Sequence, residues 1–331
     1  MAGGQERVLR RRIRSVESTK KITRAMELIA ASRIVRAQQA IAGARPYVAK
    51  MGEVVEHLSD SPEAAQHPLF REIESVNRVA IVLITADRGL AGGYNSSIIR
   101  TVERMVRDHR GAGRDVQLLP IGRKGESYFR FRKQPMLWSL IGVSERPTYQ
   151  DARKVVAAVM GPFEAGELDQ VELVYTHFVS LGSQQVQVKQ LVPLKRDEQE
   201  QRDGARGAGD GSALSAATGT PAGHKTDYEF EPEPAEILDR LLPSWLEAEI
   251  LAAMLEAAAS EQASRQRAMK AATDNADELI KNLRRVMNRA RQDAITTEIM
   301  EIVGGAEALR QADEIGAVSY HENFEPAAEP V

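Results

Sequence analysis

The chain has 331 residues, 43% of them hydrophobic and 27% charged, with a formal net charge of −3; these values are typical of a soluble protein long enough for two domains. It contains no cysteine, which excludes disulfides, thiolate metal sites and cysteine nucleophiles. The sequence starts without an apolar signal core and has no run of 18 apolar residues, so we expect a cytosolic or peripheral protein.

Residues 1–60 are predicted to form one long helix. Apolar or small side chains recur at every third or fourth position, as in the contact seam of a coiled coil. Pro46 cannot donate a backbone hydrogen bond and is expected to bend the helix. The predicted seam positions are Leu9, Ile13, Val16, Thr19, Thr23, Met26, Ala30, Ile34, Ala37, Ile41, Ala44, Val48, Met51, Val55 and Leu58.

The same helix contains a strongly basic segment. Between Arg7 and Arg36 there are ten lysines and arginines against Glu17 and Glu27, a net charge of +8. Such a segment predicts an anionic partner, which could be nucleic acid, lipid headgroups or an acidic protein surface.

Residues 61–233 are predicted to form a central Rossmann-like α/β domain. Alternating apolar and amphipathic runs predict strands at 79–85, 115–121 and 136–141 and helices at 96–109, 124–132 and 149–163. Two longer strands, 171–181 and 184–194, are joined by Gly-Ser as a hairpin. Residues 196–225 are rich in Gly, Ala, Ser and Asp, which predicts a disordered insert.

A glycine-rich turn at 89–93 follows the first of these strands and raises the question of a phosphate site. The turn reads Gly-Leu-Ala-Gly-Gly, which matches neither G-x-G-x-x-G nor G-x-x-x-x-G-K-[ST]. Arg88 could pair with an anion, although Asp87 beside it offsets the charge. The alternative is a tight turn after a buried strand, with Asn95 or Ser96 capping the next helix. The turn by itself does not decide between these interpretations.

Residues 234–331 are predicted to form a second long helix followed by a tail. Pro234 suits a first helical turn, and no proline occurs between Pro243 and Pro326. Long helices at both ends of the chain predict an antiparallel coiled coil joined to the central domain, so the expected fold class is α/β with a terminal coiled coil. The predicted seam positions of the second helix are Ala272, Ala276, Leu279, Leu283, Val286, Ala290, Ala294 and Thr297.

Three classes of function compete at this point. An enzyme would need converging titratable groups, but the six histidines are scattered and neither H-E-x-x-H nor G-x-S-x-G occurs. A nucleic-acid-binding protein could use the basic helix, although no aromatic residues are interleaved with its cations. A mechanical or scaffolding coiled coil explains the two long helices most directly, and the pattern favours this class without specifying its task.

Four motifs resemble the gamma subunit family of the rotary, proton-driven ATP synthase. They are RIRSVESTKKITRAMELIAASRIVRAQ at 12–38, TADRGLAGGYN at 85–95, SEQASRQRAMKAATDNADELI at 260–280 and NRARQDAITTEIMEIVGGAEAL at 288–309. The pattern I-T-x-E-x-x-E-x-x-x-G-A at 295–306 matches the signature of that family. The resemblance covers nearly the whole chain.

The resemblance implies a shaft that turns inside a ring of catalytic beta and non-catalytic alpha subunits, with the epsilon subunit and the membrane c-ring below. It implies no catalysis by this chain, no cofactor, metal, nucleotide or nucleic acid, and a peripheral position at the cytoplasmic face of the cell membrane. The turn at 89–93 would then face the catalytic subunits. Met26 is equally compatible with the coiled-coil core and with a rotor contact. The residues that the resemblance assigns to partner contact and coupling are Lys20, Lys21, Arg24, Met26, Arg33, Arg36, Asp87, Arg88, Gly89, Arg265, Arg291, Gln292, Thr296, Glu298 and Glu301.

Two features depart from the family pattern. The insert at 196–225 is longer than the usual loop, and residues 316–331 extend past the end of many relatives. Plastid relatives carry a cysteine-bearing thiol switch in an insert, which the absence of cysteine excludes here.

Overall fold

A computed structural model describes residues 2–59, 64, 67–71, 73, 75–194 and 234–321. The insert at 196–225 and residues 322–331 of the tail lie outside this part of the chain. The elements in chain order are α1 (Ala2–Ser59), β1 (Arg78–Ile84), α2 (Tyr94–Gly111), β2 (Asp115–Ile121), α3 (Arg123–Phe131), α4 (Tyr149–Glu164), β3 (Gln170–Phe178), β4 (Gln184–Val192) and α5 (Pro234–His321).

The chain forms two compact units. The first combines α1 up to residue 25 with α5 from residue 270, and the second comprises residues 26–269. The helix α1 continues through Pro46, and α5 continues through Pro243.

The second unit contains a four-stranded sheet with the strand order β2-β1-β3-β4. Strand β1 is parallel to β2 and β3, and β4 pairs with β3 as an antiparallel hairpin. Six of the seven residues of β1 are buried, because helices cover both faces of a central parallel strand. The predicted α/β class and the predicted hairpin are therefore confirmed.

The strand predicted at 136–141 is wrong. Only Met136 and Leu140 form isolated parallel bridges, with Leu118 and Ile121 of β2. The apolar side chains between them, including Trp138, pack against the core instead of extending a ladder.

Two apolar clusters enclose the sheet. One face packs on α4, with Phe163 fully buried, and on the adjoining parts of α1 and α5. The other face packs on α2 and α3, where Phe129 is 1% exposed.

The first unit is an antiparallel pair of helices. Ile13 of α1 packs with Ile280 and Leu283 of α5, and the hydroxyl oxygens of Thr23 and Thr273 are 2.8 Å apart. Rising residue numbers on one helix therefore meet falling numbers on the other, which confirms the predicted antiparallel coiled coil.

The predicted seam of α5 is shifted by one residue over two turns. Leu279 and Val286 are 40% and 51% exposed, whereas Ile280 is buried and Met287 packs against the apolar cluster. Each turn has two adjacent apolar residues, so the sequence spacing fits both registers, and packing selects the second. The predicted seam positions Thr19 and Thr297 are likewise exposed.

Candidate functional site

The turn that follows β1 is held by main-chain N–H groups from the start of α3 and from the loop between α3 and α4. The carboxylate of Asp87 accepts N–H groups from Arg123 at 3.0 Å, Gly142 at 2.8 Å and Ser144 at 3.0 Å. In return, the Asp87 N–H donates to the Ser144 hydroxyl at 2.9 Å. These bonds tie Asp87, two residues before the turn at 89–93, to the segments that follow β2. The start of the turn is therefore fixed inside the α/β unit.

The same N–H donors set the charge of Asp87. Partial burial acts to raise the pKa of this carboxyl, but the N–H groups of Gly142, Ser144 and Arg123 outweigh burial and hold the pKa below its ordinary value. Asp87 is therefore ionised at neutral pH. The carboxylate already accepts the N–H at the start of α3, where a phosphate would otherwise be favoured. This supports the tight-turn interpretation.

The predicted helix cap after the turn is wrong. The helix α2 begins at Tyr94, after Gly93, so Asn95 and Ser96 lie within its first turn. The Asn95 side-chain oxygen accepts the Ala86 N–H at 2.8 Å, and the Ser96 hydroxyl donates to the Gly93 carbonyl at 3.0 Å. Both side chains form hydrogen bonds with main-chain groups of earlier residues and so fix the turn to the helix.

The apex of the turn combines unusual backbone geometry with an exposed apolar side chain. Leu90 has a φ of 64° and is 61% exposed, a conformation that costs a non-glycine residue energy. Gly92 has a φ of 55°, and a Cβ there would lie 3.6 Å from the Cβ of Ala268. Strained positions of this kind occur preferentially at functional sites.

Arg265 is buried beneath the turn. Its side chain is 6% exposed, and Nη2 lies 2.7 Å from Oε1 of Glu261, which is 1% exposed. The same nitrogen donates to the Gly89 carbonyl at 3.3 Å. Burial raises the pKa of Glu261, and the charge of Arg265 limits that rise. Arg265 thus supports the turn from inside the unit.

Glu145 is absent from the predicted contact residues, yet it joins two of them. Its Oε1 lies 2.7 Å from Nη1 of Arg33 and 3.6 Å from Nη1 of Arg88. The sequence contains no signal for this carboxylate, because only the fold brings the loop between α3 and α4 near α1 and the turn. The structure therefore connects Arg33 to the turn through one shared anion.

Three of the five remaining predicted residues of α1 are exposed, and two are not. Lys21, Arg24 and Arg36 are exposed, and Met26 is partly buried. Lys20 instead forms an ion pair with Asp277, with Nζ 2.5 Å from Oδ1 and the side chains 39% and 43% exposed. Lys20 thus takes part in the contact between the two helices, since its ammonium group reaches across to α5.

The predicted residues near the end of α5 belong to the first unit. All of them are exposed: Arg291, Gln292, Thr296, Glu298 and Glu301. The Thr296 hydroxyl donates to the Gln292 carbonyl at 3.0 Å. Large apolar side chains are exposed alongside, including Ile299 at 55% and Met300 at 69%, and such a surface is typical of an interaction site.

Within the described part of the chain, no group of three or more histidine, aspartate or glutamate side chains is placed to hold a metal ion. No helix among the described residues is long and apolar enough to cross a membrane.

The paired helices, the α/β sheet and the internally fixed turn define a coiled-coil interaction protein with an α/β domain. A family model described as ATP synthase matches residues 5–309. An ATP synthase gamma chain of Frankia casuarinae is 46% identical over 310 residues, covering 92% of this chain and 98% of the relative. The gamma chain of Streptomyces coelicolor is 42% identical over 315 residues, covering 94% and 98%. The chain belongs to the ATP synthase gamma chain family.

Solved structures agree with this assignment. A chain from the central stalk and c-ring of the Tetrahymena thermophila mitochondrial ATP synthase is 25% identical with a TM-score of 0.56, covering 76% of this chain and 99% of that one. A chain of the Euglena gracilis mitochondrial ATP synthase shares the fold at 16% identity, with a TM-score of 0.60 and 99% coverage of both chains. None of these similarities supports the alternative of a nucleic-acid-binding scaffold.

Proposed function

We propose that the chain is the non-catalytic rotor of an ATP synthase at the cytoplasmic face of the cell membrane. It couples proton flow through a c-ring to ATP synthesis and hydrolysis in a ring of alternating alpha and beta subunits, with an epsilon subunit as a further partner. The observation that carries this proposal is the 46% identity to an ATP synthase gamma chain over 92% of this chain. The family model matches residues 5–309, which include most of both long helices, the sheet and the turn.

The chain would act through its asymmetry. A shaft of two unlike helices presents a different surface in each direction, so each third of a turn changes the face that every catalytic subunit meets. A surface that binds one conformation of a subunit better than another shifts the population of that subunit. The chemistry then belongs to the catalytic subunits, and rotation selects which of them is open.

The basic face of α1 suits a contact that must form and break repeatedly. A well of ~4 kcal/mol would slow escape almost a thousandfold at ~1.4 kcal/mol per decade. Partly exposed ion pairs contribute only ~0–1 kcal/mol each. Lys21, Arg24 and Arg36 are exposed, so each would contribute a shallow interaction with an acidic loop of a catalytic subunit.

The turn would act as a preformed contact at the edge of the sheet. Asp87 and Arg265 fix its main chain from inside, while Leu90 and the 71% exposed side chain of Arg88 point outward. A partner can bind such a turn without first ordering it, which reduces the entropy cost of each contact.

A comparison of hydrolysis and pumping tests the proposal. We expect the triple variant Lys20→Gln, Lys21→Gln, Arg24→Gln to lower proton pumping per ATP hydrolysed more than it lowers hydrolysis, in vesicles containing the assembled complex. Each single variant should change hydrolysis less than about fivefold, since each contact is worth ~0–1 kcal/mol.

The matched control neutralises three exposed cations of the α/β unit: Arg146, Arg153 and Lys154. It removes the same charge and should leave the pumping ratio unchanged. An equal loss of coupling in both triple variants would contradict a specific role of the α1 face. Micromolar binding of ATP to the purified chain by calorimetry would contradict the non-catalytic assignment.

A further inference from the structure

A second basic surface lies on the α/β unit, at the edge of the sheet opposite the turn. The helices α2 and α3 each follow one of the parallel strands β1 and β2. Both helices therefore run back along the sheet, with their carboxyl ends directed toward its amino edge. These two ends form what we call the α2–α3 patch, consisting of Arg107, Arg110, Arg130, Phe131, Arg132 and Lys133.

Contacts between the two helices make the patch continuous. The Tyr128 hydroxyl of α3 donates to Oε1 of Glu103 on α2 at 2.8 Å. The Arg132 guanidinium, which follows α3, lies 3.7 Å from the same oxygen. On α2, Arg107 and Arg110 come one and two turns after Glu103, and this spacing keeps them on the side that faces α3.

The outer surface of the patch is positively charged. Segments 103–110 and 126–133 together contain six lysines and arginines and three carboxylates. Glu103 is engaged between the helices, Glu126 is 7% exposed and paired with Arg130, and Asp108 is the third carboxylate and is exposed. The Arg130 and Arg132 side chains remain 69% and 57% exposed, so cations dominate what a partner would meet.

Phe131 lies between Arg130 and Arg132 in the chain and is 83% exposed. Two other rings lie nearby: Phe129 is 1% exposed and belongs to the core, and Tyr128 is partly buried between the helices. Lys133 has a φ of 53°, which ends the helical path directly after the ring. The fold thus presents one large apolar side chain to solvent within a rim of positive charge.

We propose that the α2–α3 patch binds the surface of a bilayer that contains anionic phospholipids. The arginines and Lys133 would contact the phosphate-bearing headgroups, and the Phe131 ring would insert among them. A lone aromatic side chain surrounded by cations fits the interface of an anionic membrane. A protein interface would be expected to centre on several apolar side chains. This binding is independent of rotation and goes beyond the proposed function.

Site-specific labelling separates this surface from the basic segment of α1, which can also adsorb to anionic vesicles. The chain has no cysteine, so Ser127→Cys provides a unique attachment site for a nitroxide, one helical turn before Phe131. Gln150→Cys, exposed in the first turn of α4 on the other face of the sheet, is the control site. The readout is the accessibility of each nitroxide to a water-soluble relaxation agent.

We expect vesicles of phosphatidylcholine with phosphatidylglycerol to shield the label at 127 but not the label at 150. Pure phosphatidylcholine should shield neither, and high salt should remove the effect. The double variant Arg110→Gln, Lys133→Gln should weaken the partitioning reported by label 127 about 25-fold, since each cation contributes roughly fivefold. The variant Phe131→Ala should also weaken this partitioning. The control Leu181→Ala, which truncates an exposed apolar side chain of the hairpin turn, should not.

The matched charge control is Arg146→Gln, Lys154→Gln, which removes two exposed cations elsewhere in the same unit. An equal loss in this control would overturn the proposal, because the effect would then depend on net charge alone. Equal shielding of both labels, or shielding by pure phosphatidylcholine, would also overturn it. If label 127 is shielded by the other subunits of the complex and not by anionic vesicles, the partner is a protein and the lipid assignment is wrong.

Discussion

Asp87→Asn should loosen the turn without unfolding the chain. The wild-type carboxylate accepts three N–H groups at 2.8–3.0 Å through both oxygens. An asparagine side chain retains one accepting oxygen, so the N–H of Ser144, which bonds the second oxygen at 3.0 Å, would face an amide NH₂. Hydrogen bonds to a charged acceptor contribute ~1.5–3 kcal/mol each, and the two that remain lose the charge. The expected loss is about 2–4 kcal/mol of local stability.

Native-state hydrogen exchange measures this loss directly. At ~1.4 kcal/mol per tenfold change, protection of the amides of Arg123, Gly142 and Ser144 should fall roughly 30-fold to 1000-fold. The control Asp108→Asn removes an exposed carboxylate of α2 and should leave these three amides unchanged.

The pH dependence should follow the depressed pKa of Asp87. A carboxyl whose pKa is lower in the folded state stabilises the fold fully above its ordinary pKa, and this stabilisation is lost as the pH falls through the lowered value. Wild-type protection at the three amides should therefore decline below about pH 4, while the Asn variant lacks that step. Unchanged protection in Asp87→Asn at neutral pH would refute the argument that the carboxylate fixes the turn.

Three other contacts lead to further testable outcomes. Arg265→Met should destabilise the α/β unit by about 3–5 kcal/mol, because Glu261 would remain buried without its partner; adding Glu261→Gln should recover part of the loss in urea denaturation. The hydrogen bond to Glu256 at 2.6 Å raises the pKa of His177, so its stabilisation is complete below the ordinary histidine pKa and is lost as the pH rises through the raised value. The melting temperature of the His177→Gln variant should not show this pH-dependent loss. A pH profile identical to that of the wild type would contradict the stabilising role of His177. Lys20→Gln should lower stability by no more than about 1 kcal/mol, because its ion pair is half exposed, and a larger loss in urea would show a stronger contact.

The sequence predicted the elements whose patterns have one solution. The apolar run of β1 suits a central strand and the alternating run of β4 suits one arm of a hairpin, and the structure has both. The prediction for the seam of α5 was wrong where two apolar residues are adjacent in the sequence, since Leu279 and Ile280 both fit the spacing of a coiled-coil seam. Packing against Ile13 selects Ile280, and the spacing of apolar residues in the sequence does not contain this information.

The turn shows a similar division. Its motif, with Asp87, Arg88 and Gly89, was identifiable from the sequence, but the groups that hold it were not. Glu145 and the donors of Gly142 and Ser144 come from a loop far along the chain, and only strand pairing brings that loop to the end of β1. Arg265 was predicted to contact a partner, yet nothing in its helical spacing showed that Glu261 would bury with it.

Rotation of the chain inside its ring tests the central claim most directly. Gly111→Cys at the end of α2 leaves open space around the new side chain, and it would be the only cysteine of the chain. A bead attached there, with cysteine-free alpha and beta subunits fixed to a surface, should turn in one direction on addition of ATP, pausing at each third of a turn. The wild-type chain should attach no bead. Sustained ATP hydrolysis by the assembled complex while the attached bead stays still would contradict the account.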